Sequence, residues 1–135
     1  LCKQITVRQI RQLRSHLVAE RRALKREDVA QRTQLLGEFH LVLARMHGNT
    51  VLHDTLGELM LRCSLIALAY QSPQSAQASH AEHVALVDAL EKREAATAVR
   101  LMKGHLQHVH HNIDVDHRNL ESEQTLANAL AGLTD

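Results

Sequence analysis

Aromatic side chains are almost missing from this chain: Phe39 and Tyr70 are the only two. One proline and five glycines leave little turn chemistry to separate many short strands. Apolar residues still make up 44% of the 135 residues, most of them Leu, Val and Ala, which excludes a disordered chain. Together these counts favour long helices over a sheet, in one domain by length. No apolar run approaches the roughly 20 residues that span a bilayer, so no membrane contact is expected. Cys2 and Cys63 have no metal-type pair spacing, and two scattered thiols suit a reducing cytoplasm. The chain begins with Leu and not Met, as expected of a fragment whose upstream part is missing.

What is present begins with charge. Up to Arg26 there are eight Lys/Arg against one acid, Glu20, while the remainder carries eight against fourteen. A basic first helix of this kind is either a nucleic-acid arm or a solvated face. No aromatic lies among its cations to stack a base, which weakens single-strand binding.

Periodicity divides the chain into helices. Ile10, Leu13, Leu17 and Leu24 predict a first helix over residues 4–25. A second runs from Glu27 to Met46, with Val29, Leu36, Phe39, Leu43 and Met46 inward. Gly48 stops it and Asn49 caps a third helix over 50–70, whose Leu52, Leu56, Leu59, Cys63 and Ile66 point inward. As the most apolar element, this third helix is expected at the centre of the bundle. The polar stretch QSPQSAQA (71–78) reads as a loop, followed by a Ser79/Glu82 capping box that opens a fourth helix over 80–92. A fifth covers 95–113, and a short one is expected at 125–133. The fold class is all-α, an antiparallel bundle of about six helices forming one domain over 1–135.

Eleven histidines are the compositional oddity. His40, His83 and His105 each fall on the apolar face of a different helix. Imidazoles from facing helices are how bundles build Zn, Ni, Fe or Mn sites, and three leave coordination positions open. About a third of a helix surface faces inward, however, so eleven randomly placed histidines would put about three there. Position alone leaves a metal triad and satisfied core histidines both open. His108, one turn beyond His105, is a second candidate. His16, His47, His53, His80, His110, His111 and His117 are expected to face solvent.

Two stretches carry a family likeness. GEFHLVLARMHGNTVL (Gly37 to Leu52) has an acid before a Phe-His pair, a Leu-rich turn, then an Asn opening the next helix. EHVALVDALEKREAATAVRLMKGHL (Glu82 to Leu106) has Glu-His, an apolar helix, a charged break and an Ala-rich helix ending in His, with His83 and His105 22 residues apart. In this order and spacing they resemble the FadR C-terminal (FCD) effector-binding domain of GntR-family transcription regulators. The resemblance covers about Leu1 to Leu106.

That resemblance implies a ligand-sensing domain and not an enzyme. It implies a divalent metal held by one Asp and three His, the latter matching His40, His83 and His105. The Asp position, one turn before the first His, is Leu36 here. Glu38 cannot replace it, since two residues away on a helix it points elsewhere. Either a water or an effector oxygen completes a three-His site, or this chain is a member without metal. The resemblance also implies a winged-helix DNA-binding domain upstream, homodimerisation and a small carboxylate effector. Arg62 matches a position where such domains often carry an arginine suited to a carboxylate, though a surface salt bridge fits equally. Asn49 is the other effector-side candidate, with helix capping as its plainer role. The alternative reading is a helical metal-binding protein or metalloenzyme built on the His triad. A ferritin-like di-metal bundle lacks its Glu-x-x-His pairs.

Overall fold

The computed structural model describes residues 1–111, and these are helical almost throughout, without strands. Four helices, α1 (Val7–Lys25), α2 (Val29–His47), α3 (Thr50–Tyr70) and α4 (Pro73–Glu91), are followed by α5, which begins at residue 95 and reaches residue 111. The domain is an all-α bundle. The short helix expected at 125–133 and His117 lie outside the described residues.

Helices α1 to α4 each start where a polar side chain satisfies an orphan amide. Thr6 and Gln9 form a reciprocal capping box at α1, with Gln9 N–H on Thr6 Oγ1 at 3.2 Å and Thr6 N–H on Gln9 Oε1 at 2.8 Å. Asp28 caps α2 through Gln31 N–H at 2.9 Å, so this helix starts at Val29 and not at Glu27. Gly48, at φ 82°, ends α2 in the left-handed conformation that glycine adopts without strain. Asn49 immediately caps α3 through Leu52 N–H at 3.0 Å.

The segment 71–78 is not a loop. Ser72 caps Ser75 N–H at 3.1 Å and Pro73 occupies the first helical turn, where its missing N–H costs nothing. The helix therefore starts seven residues earlier than expected, and Ser79 is a buried residue in its interior. Ala76 and Ser79 continue inward the stripe that His83, Leu86, Val87 and Leu90 complete.

The core lies between α1, α2, α4 and the start of α5. Ile10, Leu13, Leu17, Phe39, Leu43, Leu86, Val87, Leu90 and Ala98 are buried together. Arg93 donates to the carbonyls of Lys3 and Ile5 at 2.9 and 3.3 Å, tying the α4–α5 turn to the start of the chain. Arg14 joins α1 to α4 through Asp88, at 2.7 Å, and Glu91, but these groups are solvated enough to add little stability.

The expectation that α3 occupies the centre is corrected. Among helices α1 to α4, α3 packs on α2 alone, and Leu52, Leu59 and Ile66 are 43%, 48% and 45% exposed. Cys63 is exposed as well. Asp54, Glu58 and Arg62 mark one charged side of α3, but apolar residues cover most of the rest, so no sharp stripe decides which face turns inward. The inward residues of α1 and α4, among them Leu13, Leu17, Leu86 and Leu90, are buried instead. Gly37 lets α3 come close to α2: a Cβ there would stand 3.2 Å from Ser64 Oγ.

Candidate metal centre and ligand cavity

His40 on α2, His83 on α4 and His105 on α5 converge. Nε2 of His105 lies 3.2 Å from Nε2 of His40 and 3.3 Å from Nε2 of His83. One ligand atom from each of the three falls within 4.8 Å of the other two. Tetrahedral coordination with bonds of about 2.05 Å places ligand nitrogens about 3.3 Å apart. The rings are held in place by packing and by hydrogen bonds. His83 stacks on Phe39, with centroids 3.9 Å apart and planes 14° from parallel, and Phe39 meets His40 edge-on.

Two carboxylates grip these rings from behind. Glu20 Oε1 accepts from His83 Nδ1 at 3.0 Å, and Glu82 Oε2 accepts from His105 Nδ1 at 2.7 Å. An ionised carboxylate can only accept, so both Nδ1 atoms carry a proton, and in the neutral rings both Nε2 atoms present lone pairs. The contact between Nε2 of His83 and Nε2 of His105 is therefore lone pair against lone pair in the neutral rings. A cation held by the three Nε2 atoms would turn that repulsion into coordination, and carboxylate–histidine–metal relays hold metal-ligating imidazoles in this way. The donor set fits a divalent metal.

Electrostatics agree. Burial, with His83 and His105 close by, pushes the His40 imidazole down to about 3, so it stays neutral and available as a ligand. Burial and the neighbouring His83 likewise lower His105, despite Glu82. For the Glu20 carboxyl, burial acts upward, but hydrogen bonds from His16, His80 and His83 outweigh it and hold it well below the usual carboxylate range. Burial likewise acts upward on Glu82, and its contacts with His108 and His105 bring it below its ordinary value.

Glu20 also corrects two surface assignments. His80 Nδ1 donates to Glu20 Oε2 at 2.7 Å. His16 Nε2 bonds the Leu35 carbonyl at 2.8 Å and lies 3.4 Å from Glu20 Oε1. Neither ring is free in solvent, because the buried carboxylate draws both to it. The His16 imidazole is raised: burial opposes its charge, but Glu20 and the Leu35 carbonyl more than compensate. His53 is half-buried, while His47, His110 and His111 are exposed as expected. His108 is exposed and bonds the outer oxygen of Glu82, and so supports the site from outside instead of joining it.

Beside the triad opens a cavity of about 610 Å³ between α2, α3, α4 and α5. This is the size of a small-molecule site. His40, His83 and His105 form one wall, and Leu36, Met60, Ile66, Leu106 and Val109 make much of the remainder. Leu36, where the resemblance expects an Asp, lies on the cavity surface and offers the centre no oxygen. Arg62 is exposed on α3 and Asn49 serves as the α3 cap, and neither lines the cavity. Sequence reasoning missed Glu20 and Glu82. The signal for Glu20 was there: a lone acid in a basic helix, on the same stripe as Leu13 and Leu17.

These features first define a class: an all-α domain that gathers three imidazoles beside a ligand-sized cavity. The family model of the FCD domain matches residues 1–108. The chain belongs to that family, the FadR C-terminal effector-binding domain of GntR-type transcription regulators. No curated protein and no solved structure matches it. No helix among the described residues is long and apolar enough to cross a membrane.

Proposed function

We propose that this chain is the sensor domain of a cytoplasmic bacterial transcription regulator, holding one divalent metal on Nε2 of His40, His83 and His105. A small organic acid enters the adjoining cavity, and one of its carboxylate oxygens takes a coordination position left open because Leu36 stands where an Asp would be. Differential affinity for two arrangements of the domain then biases DNA binding by an attached winged-helix domain in a homodimer. The observation that carries the reading is the convergence of three Nε2 atoms, two of them fixed as lone-pair donors by Glu20 and Glu82.

A hydrolytic metalloenzyme built on the same triad needs a general base beside the metal. The two carboxylates nearest the triad, Glu20 and Glu82, are bound to Nδ1 atoms, on the side of each ring away from the centre. Leu36 supplies none. The geometry favours sensing over catalysis.

Elemental analysis of the purified protein tests the reading, expecting one metal per chain, lost in His83→Ala. Thermal shift with small organic acids then tests the effector, with and without metal. A chain that carries no metal and gains none on reconstitution removes the metal centre. A metal-loaded chain whose melting temperature no acid moves removes the effector.

A further inference from the structure

The wall of the cavity remote from the histidines is not uniformly apolar. Thr33 lies seven residues before His40 on α2, two turns along the same face, and also lines the cavity. Thr33 is 5% exposed, and its Oγ1 is buried with no hydrogen-bond partner among the described residues. Gln71, at the end of α3, lines the cavity too, and its Oε1 is likewise buried with no partner among the described residues. A buried polar atom without a partner costs about 1–3 kcal/mol, so two lining one ligand-sized cavity point to a group that binds there. The Gln71 backbone is pinned by Arg32, whose guanidinium donates to its carbonyl at 3.2 Å. No Lys, Arg, Asp or Glu is among the described lining residues.

We infer that the cavity takes a monocarboxylate with an apolar body and a single hydroxyl at its far end. This rests on the sensor reading, which places the carboxylate at the histidines, and adds the remainder of the molecule. A hydroxyl both donates and accepts, so it satisfies Gln71 Oε1 and the Thr33 hydroxyl together. A second carboxylate would lie desolvated against Leu36, Met60, Ile66 and Leu106 without a lining cation, at high cost. Seven helical residues rise about 10.5 Å. That backbone separation sets the scale between the histidine end and the Thr33 end of the cavity, on which a small ring with polar groups at opposite ends fits.

The test uses the full 135-residue chain loaded with zinc, its metal content measured first. Benzoate, 4-hydroxybenzoate and terephthalate are titrated by calorimetry. The expected order is 4-hydroxybenzoate tighter than benzoate by about three- to tenfold, the worth of a neutral hydrogen bond, with terephthalate weakest. Thr33→Val, nearly equal in volume, is expected to remove much of the advantage of 4-hydroxybenzoate over benzoate. Equal affinity of the first two acids in the unaltered chain overturns this inference alone. So does tightest binding of terephthalate, which would mean that the free Nε of Arg32 turns to the cavity. Failure to load zinc, or binding of none of the acids, overturns the sensor reading as well.

Discussion

The carboxylate of Glu20 on α1 lies 3.0 Å from Nδ1 of His83 on α4, and both side chains are buried. This pair links the first helix, where every other charge is positive, to the cluster of imidazoles. A buried carboxylate persists only with partners, and Glu20 has three in His16, His80 and His83. The consequence for the metal is directional: the proton stays on Nδ1 and the lone pair on Nε2.

Glu20→Gln keeps the shape of the side chain but removes the charge. It is expected to weaken metal affinity by about 10- to 100-fold, the usual worth of an outer partner to a ligating His. Glu82→Gln should fall at the mild end of that range, because its side chain is 25% exposed and water can replace it. Competition against a chromogenic chelator measures both. Unchanged affinity in Glu20→Gln would reduce the residue to a packing role.

The start of α4 shows how far the sequence could be read. Ser79 with Glu82 has the spacing of a capping box, and QSPQSAQA has the composition of a loop, so a helix from residue 80 was the natural reading. Yet Pro73 suits a first turn as well as a loop, and Ser72 before it is an equally good cap. Local chemistry allowed both starts; burial of Ala76 and Ser79 against the bundle selects the earlier one. The same gap explains Glu82, which a capping assignment had already accounted for, and α3, whose inward face no stripe defines. His40, His83 and His105 were legible because each falls on a clear helical stripe, whereas their carboxylate partners depend on contacts 23 to 63 residues away.

If Ser72 is the true cap, Ser72→Ala should cost about 1 kcal/mol of stability. Chemical denaturation of the metal-free chain measures it. A loss within error would restore the later start of the helix.

Thr33 gives a prediction of opposite sign. Its hydroxyl is buried without a partner among the described residues, so the metal-free, ligand-free domain pays for its desolvation. Thr33→Val should therefore raise stability by about 1 kcal/mol, or a few degrees in melting temperature. Most buried substitutions destabilise, which makes an increase informative. A decrease would show that the hydroxyl already has a partner in the empty protein.

Leu36 offers the sharpest separation between a metal centre and a packed histidine cluster. It is buried, lines the cavity and precedes His40 by one turn. Leu36→Asp places a carboxylate beside the three Nε2 atoms. Without metal, that charge is buried in an apolar wall, and the domain should lose on the order of 3 kcal/mol, or roughly 10 °C in melting temperature. With zinc, the carboxylate becomes a fourth ligand and the loss should be largely recovered, so the zinc-induced shift in Leu36→Asp exceeds that of the parent chain. Because the new oxygen occupies the position proposed for the effector, carboxylate binding should weaken in the same variant. Thermal shift over the four combinations of zinc and benzoate reads all of this at once. If zinc stabilises parent and variant equally, the aspartate does not reach the metal; if zinc stabilises neither, the three imidazoles are not one coordination centre.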